Sequence, residues 1–370
     1  MKKTIVISAV NLVEAGTLAI LRDCLSYLSA LAEQYECRIV AIVYKKELAL
    51  FPNVEYIETQ WPKKRWINRL WYEYVSMKKI SKELAPVDLW FSLHDTTPSV
   101  IARKRAVYCH NSYSFYKWKL HDLFVAPKIA MFAIFTKYIY KTNIHKNDYL
   151  VVQQEWFRVA MSEMFGFESS KIIVAPPHRI KSKEIIKNTE DKEVFSFIYA
   201  ASPNSHKNFE IICRAVDILE NHYQIKNFKV HITVDGSENR YAGWLYKKWG
   251  RLSCISFMGF VDKNTLFTYY EQSSCMVFPS KVETWGLPIS EFSEFNKPML
   301  LADLPYTHET ASGSKKVAFF DPNNPEMLAQ QMMKLIQKDY SFLKEVPEYI
   351  IENPVAYSWK GLFQTLLSED

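Results

Sequence analysis

No stretch of this 370-residue chain is apolar for long enough to cross a bilayer, since no window of about 19 residues is free of charge. Integral insertion is therefore not expected. The apolar run at residues 4–10 is also too short for a secretory leader and runs straight into a strand-turn-helix pattern, so secretion is not expected either. Paired cysteine spacing is missing as well. Cys24, Cys37, Cys109, Cys213, Cys254 and Cys275 are scattered and sit mostly in apolar runs, which argues for reduced, buried thiols of a cytoplasmic protein over a disulfide or zinc framework. The formal charge of +6 is spread out. Without a dense Lys/Arg stripe it gives no footprint for nucleic acid, though it suits phosphorylated ligands or an anionic membrane surface. No Asp-x-Asp triplet occurs anywhere.

What the chain does have is an alternation of strand and helix that runs twice. Its length gives a soft prior of two domains, and a hydrophobic share of 48% supplies two cores. Strands are predicted at residues 4–10, 38–44, 54–57, 87–93, 106–111 and 148–153, with a helix over 18–34. Residues 172–178 lead into a linker, and the charged stretch 181–192 places the boundary near 178–193. The grammar restarts with strands at 194–200 and 228–234, a strand and turn over 254–261, and strands at 275–278, 298–303 and 317–321. Helices are predicted from Phe209, from Asp262 as a cap, from Leu287, at 306–311 and at 325–338. The fold class is α/β, with two doubly wound parallel sheets.

The most informative stretch is Phe278-Pro-Ser-Lys-Val-Glu-Thr-Trp-Gly-Leu-Pro-Ile-Ser-Glu291. A short apolar run ends at Pro279-Ser280, as a buried parallel strand entering a polar loop would. Pro288 suits the first turn of a helix because its φ is already helical and its missing N–H would have had no partner there. The amides of Gly286, Leu287 and Ile289 are then expected to be free, at the positive end of a helix dipole, where a phosphate fits. Glu283 and Glu291 flank that turn.

This pattern resembles the Glu-x7-Glu motif of the family 4 retaining, nucleotide-sugar-dependent glycosyltransferases, whose usual wording is Glu-Gly-Phe-Gly-Leu-Pro. Here Thr284 replaces the first glycine and Trp285 the phenylalanine. The resemblance covers residues 190–325 clearly and the first half by layout. It implies the GT-B arrangement: residues 1–180 as an acceptor-binding Rossmann-like domain, 193–350 as the donor-binding one, a central cleft, and 351–370 packing back on the first. It also implies roles. Glu283 would bind hydroxyls of the donor sugar, Glu291 the ribose, and the turn Thr284, Trp285, Gly286, Leu287 and Pro288 the donor. Gly259, Phe260 and Val261 would lie against the base. His110, at a strand's C-terminal end, would stand near the transferred sugar. Lys207 would meet the diphosphate, while Ser202 occupies a position where the family has an arginine. The first loop, with Gly16 as its single glycine, would touch donor phosphate or acceptor.

The implied reaction is transfer from a nucleotide-diphosphate sugar to a glycan or polyprenyl-diphosphate-linked acceptor in bacterial O-antigen, capsule or exopolysaccharide assembly. No cofactor is implied, and the missing Asp-x-Asp triplet fits an enzyme that needs no metal and neutralises its leaving group with amides and cations. A nucleotide-sugar epimerase or hydrolase of the same fold, or a noncatalytic partner, remains open. Two basic-aromatic regions, residues 61–79 and the runs at 115–121 and 129–141, point to peripheral contact with the inner face of the cytoplasmic membrane through the first domain. For residues 61–79 a core-facing amphipathic helix is the competing reading.

Overall fold

A computed structural model of the chain describes residues 3–13, 15–35, 37–177 and 194–368. In chain order the first elements are β1 (Thr4–Ser8), α1 (Ala15–Tyr35), β2 (Arg38–Val43), β3 (Val54–Glu58), α2 (Trp66–Trp71), α3 (Met77–Glu83), β4 (Leu89–Ser92) and β5 (Lys104–Tyr108). After these come α4 (Leu120–Val125), α5 (Pro127–Lys141), β6 (Tyr149–Val152), α6 (Glu155–Phe165) and β7 (Ile172–Val174). The series continues with β8 (Phe195–Tyr199), α7 (Phe209–Asp217), β9 (Phe228–Ile232), α8 (Arg240–Trp249), β10 (Ile255–Phe257), α9 (Lys263–Gln272) and β11 (Cys275–Phe278). It closes with α10 (Leu287–Ser293), β12 (Met299–Ala302), α11 (Pro305–Thr310), β13 (Val317–Phe320), α12 (Pro325–Ile336) and α13 (Trp359–Leu367).

The strands form two sheets, ordered β3-β2-β1-β4-β5-β6-β7 and β10-β9-β8-β11-β12-β13. Every pairing between these strands is parallel. Strands covered on both faces read as unbroken apolar runs, and β1, β4, β11 and β12 are buried along their whole length. In each sheet the order reverses beside the first strand, between β1 and β4 and between β8 and β11. Loops leaving the carboxyl ends of two such strands diverge and leave room for a ligand.

The chain divides into two compact units, one of Met1–Asn111, Phe135–His178 and Ile351–Asp370, the other of Ser112–Ile134 and Arg179–Ile350. The division differs from a split near 180 in one respect: Ser112–Ile134, which the sequence reading keeps in the first half, clusters with the second unit. The predicted linker at 178–193 lies outside the described residues. In the first unit, Leu362, Phe363 and Leu366 of α13 join the core formed by Leu21, Leu25 and Leu28 of α1 with Ile5, Phe91 and Tyr108 of the sheet. Arg158, 2% exposed, ties the tail down by donating to the carbonyls of Glu352 and Pro354 at 3.0 and 3.3 Å while paired with Glu155.

Several elements depart from their sequence readings. Residues 172–174 form β7, which pairs with β6 and does not simply lead into a linker. Helix α1 starts at Ala15, so Gly16 lies in its first turn. The basic-aromatic run is broken into a 3-10 turn at Trp61–Lys64, α2, a π-turn at Tyr72–Ser76 and α3. Helix α8, with Asn239 as its cap accepting from the Ala242 amide, has no counterpart in the sequence reading, because its apolar positions are tryptophan and tyrosine interleaved with lysine.

Candidate active site

Strands β8 and β11 run side by side at the order reversal of the second sheet, with Cys275 opposite Phe197 and Met276 opposite Ile198. Lys207 comes from the 3-10 turn Ser205–Lys207 after β8, and Glu283 from the loop after β11. Their side chains meet, Lys207 Nζ lying 2.5 Å from Glu283 Oε1, with only 16% and 13% of the two side chains exposed. Two charges so far out of water must be satisfied together, because removing either strands the other.

The backbone around the pair is fixed by polar side chains. Asn208 adopts the left-handed conformation at φ +59° that asparagine tolerates better than most residues, and its Nδ2 donates to the carbonyls of Pro279 and Pro322 at 3.1 and 2.8 Å. The Tyr199 hydroxyl donates to the Lys207 carbonyl at 2.7 Å, and the Tyr306 hydroxyl to that of Ser280 at 2.7 Å. The Lys281 amide donates to the His206 carbonyl at 2.8 Å. The exits of β8, β11 and β13 are thus tied into one frame.

A second ion pair, not foreseen from sequence, stands beside the first: Lys281 Nζ to Glu210 Oε1 at 3.0 Å, with the Tyr241 hydroxyl donating to the other Glu210 oxygen. His206 is buried and its Nδ1 has no hydrogen-bond partner among the described residues. Burial above all, then the charges of Lys207 and Lys281, hold its proton affinity far below the ordinary histidine value, so the ring is neutral. Tyr113 and Tyr116 set their rings edge-on to it, with centroids at 5.0 and 6.2 Å. Burial and then the nearby Glu283 charge push the Tyr113 hydroxyl up to about 12. Ser202, where the resemblance implies an arginine, is exposed. Lys281 nevertheless gives this region a second lysine two positions before Glu283.

The turn after Glu283 differs in part from its expected form. Gly286 has φ +90°, and a Cβ there would lie 3.3 Å from Ile289 Cδ1 in a conformation that already disfavours side chains, so glycine is required. That fold-back brings the Gly286 carbonyl over the next turn, where it accepts from the Ile289 amide at 2.9 Å. Ile289 is therefore not one of the free amides. Trp285 is buried, its indole N–H donating to Ser290 Oγ at 3.2 Å and its carbonyl accepting from Thr310. Thr284 and Pro288 are half-buried, and Leu287 is exposed.

Glu291 does not share a partner with Glu283. It lies 3.9 Å from Lys263 Nζ, the first residue of α9. Burial raises its proton affinity above the ordinary carboxylate range, and Lys263 opposes that shift. Just before Lys263, Asp262 caps α9 as predicted, accepting from the amides of Asn264 and Thr265 at 2.9 and 3.1 Å. The preceding turn packs closely: a Cβ on Gly259, φ +70°, would meet Asp235 Oδ2 at 2.6 Å. Phe260 is 89% exposed and Val261 half-buried. Gly16 is exposed, with nothing within 4 Å of where its Cβ would be. His110 follows β5 in the first unit, half-buried, its ring 4.2 Å from that of Tyr108. Among the described residues no group of three or more His, Cys, Asp or Glu side chains is placed to hold a metal ion.

Residues 180–354 match the family model described as glycosyl transferases group 1. Over 195 residues the chain is 22% identical to the O-antigen chain mannosyltransferase RfbU of Salmonella typhimurium, a match covering 51% of this chain and 52% of that protein. The chain thus spans about half the length of that curated relative. Among solved structures it superposes on the apo form of the lipopolysaccharide outer core galactosyltransferase WaaB with a TM-score of 0.62 at 11% identity, covering 92% of this chain and 91% of that one. WaaG, a glycosyltransferase involved in lipopolysaccharide biosynthesis, gives a TM-score of 0.61 at 14% identity, with 90% of each chain covered. These likenesses give the fold, that of GT-B glycosyltransferases.

A double-mutant cycle tests the central ion pair. Lys207→Met and Glu283→Gln are each expected to lower unfolding free energy in urea by about 3 kcal/mol, with the double variant losing clearly less than the sum. Strict additivity would show that the two side chains do not meet.

Proposed function

We propose, from the match of residues 180–354 to the family model of group 1 glycosyl transferases, that the protein transfers a sugar from a nucleotide-sugar donor to a glycan acceptor with retention at the anomeric carbon. The acceptor is lipid-linked, and the product is a bacterial surface polysaccharide such as O-antigen, capsule or exopolysaccharide. Support for this setting comes from the matched proteins, which include an O-antigen chain mannosyltransferase and a lipopolysaccharide outer core galactosyltransferase. The observation that carries the reading is the Lys207–Glu283 pair at the order reversal of the second sheet.

In this reading the arriving donor exchanges partners with the pair. Lys207 turns to the diphosphate and Glu283 accepts from hydroxyls of the sugar, so both charges stay satisfied. Lys281 contributes to neutralising the departing nucleoside diphosphate, and no metal is used. The amides of Gly286 and Leu287, with Thr284, Trp285 and Pro288 shaping the turn, contact the phosphates. Glu291 accepts from the two ribose hydroxyls, and Gly259, Phe260 and Val261 border the base. Gly16, in the first turn of α1, borders phosphate or acceptor, and His110 acts at the transferred sugar. As the bond between the anomeric carbon and the phosphate oxygen breaks through an oxocarbenium-like state, the acceptor hydroxyl oxygen bonds to that carbon on the same face and gives its proton to the leaving phosphate oxygen.

The protein is also proposed to work at the inner face of the cytoplasmic membrane as a peripheral protein. In the first unit, helix α2 exposes Trp66, Ile67, Leu70 and Trp71 beside Arg65 and Arg69; α4, expected in the first domain but clustering with the second unit, separately exposes Leu120, Leu123 and Phe124 just after Lys117 and Lys119. Exposed aromatics among cations suit the interface of an anionic bilayer. No described helix is long and apolar enough to cross one.

Glu283→Ala, Glu291→Ala and Lys207→Ala are each expected to lower turnover at least tenfold, about 1.4 kcal/mol of transition-state stabilisation. Full activity in all three would remove the assignment. Nucleotide binding carries a pH signature: because Glu291 titrates above the ordinary carboxylate value of about 4.3, nucleoside diphosphate affinity should weaken on acidification from a correspondingly higher pH. Calorimetry on Glu291→Gln should find that dependence flattened; an unchanged profile would place the ribose elsewhere. Sedimentation with phosphatidylglycerol vesicles should be strong at low salt and weak at high salt, and indifference to lipid would end the membrane assignment.

A further inference from the structure

Directly after β4 the chain makes an unusual turn. Asp95 has φ +68°, a conformation costly for residues with a side chain, and such strain persists only where surrounding contacts enforce it. Those contacts converge on one carboxylate oxygen. Asp95 Oδ1 accepts from the amides of His110 and Asn111 at 2.5 and 2.9 Å, and the Asp95 amide donates to the Tyr108 carbonyl at 3.3 Å. The Tyr140 hydroxyl of α5 lies 2.9 Å from both Asp95 Oδ1 and the Asn111 carbonyl, donating to one at a time.

The far side of the same loop is held as firmly. Thr96 Oγ1 donates to Glu73 Oε2 at 2.7 Å, His94 Nδ1 lies 3.2 Å from Glu73 Oε1, and Arg69 donates to the His94 carbonyl at 3.1 Å. Glu73, His94 and Thr96 are all buried. With its flanks fixed, the loop cannot follow a shifting β5 exit.

We propose that Asp95 is a positioning residue for transfer, its carboxylate bridging the exits of β4 and β5 so that His110 is presented in one orientation. The proposal rests on the assignment of His110 to the transferred sugar. Neither His110 ring nitrogen has a hydrogen-bond partner of standard geometry among the described residues, so the side chain is oriented through its backbone and by stacking on Tyr108. Among the described residues, Tyr108 of its own segment stacks on it, and Leu93, His94 and Asp95 act on it from the β4 exit. Burial lowers the imidazole's proton affinity most, Asp95 and the Leu93 carbonyl raise it, and His94 lowers it again.

Two substitutions separate geometry from charge, and both tolerate the left-handed turn. Asp95→Asn keeps an acceptor oxygen and removes the charge; Asp95→Gly removes both. In full-length protein carrying ring-labelled histidine, with the His110 resonance identified by its loss in His110→Ala, Asp95→Asn should move the His110 titration to lower pH. Asp95→Gly should lower kcat at least tenfold while leaving calorimetric affinity for UDP or GDP, whichever the wild type binds, unchanged. Thr96→Ser serves as a folding control in the same loop and should leave both readouts unchanged. An unaltered His110 titration together with unaltered kcat in both Asp95 variants would overturn the proposal. Wild-type turnover in His110→Ala would overturn the role given to His110 and with it any catalytic consequence of Asp95, while the titration would still decide whether Asp95 governs that ring.

Discussion

A lysine and a glutamate that have given up most of their water for one another dominate the second unit. Neither Lys207 nor Glu283 can be stable in that position alone, and each is delivered by a loop leaving a different strand. The rest of the unit is arranged so that those loops arrive in register. Adjacent parallel strands place the two exits side by side, Asn208 ties both to the exit of β13, and the buried hydroxyls of Tyr199 and Tyr306 anchor the Lys207 and Ser280 carbonyls. Such a pair is poised rather than idle, because an anion and a hydroxyl-rich ligand arriving together can replace each partner without leaving a bare charge.

The first unit uses the same device with different chemistry. There too the loops beside the order reversal carry the polar residues, but the bridge between strand exits is a carboxylate holding amides, with a second buried carboxylate, Glu73, behind it. Parallel sheets leave their carboxyl-end amides unpaired, and a residue that collects them spares the chain a buried, unsatisfied edge.

Much of this was legible in the sequence where the signal is local. Cys275-Met-Val-Phe followed by proline could only be a buried strand leaving its sheet, Asp262 announced its helix, and Pro288 announced the first turn of another. Long-range pairings were not legible. Lys281 reads as a loop lysine until Glu210, some 70 positions earlier, is brought against it, and His206 reads as one more polar residue until two lysines and two tyrosine rings surround it. The free amide expected at Ile289 failed because a left-handed glycine turns its own carbonyl back on the chain. Helix α8 was missed because its buried face is built from Tyr241, Ala242, Leu245 and Trp249 among lysines, a pattern that looks like a basic surface. The passage of Ser112–Ile134 into the second unit leaves no mark in composition at all.

One carboxamide gathering three strand exits also says something about how such a scaffold can diversify. Because Asn208 fastens Pro279 and Pro322 directly, the loop beyond Pro322 hangs from a fixed stem and can lengthen, shorten or change sequence without displacing the lysine beside Asn208. Selection for a new ligand can therefore work on that outer loop while the anchoring frame stays as it is.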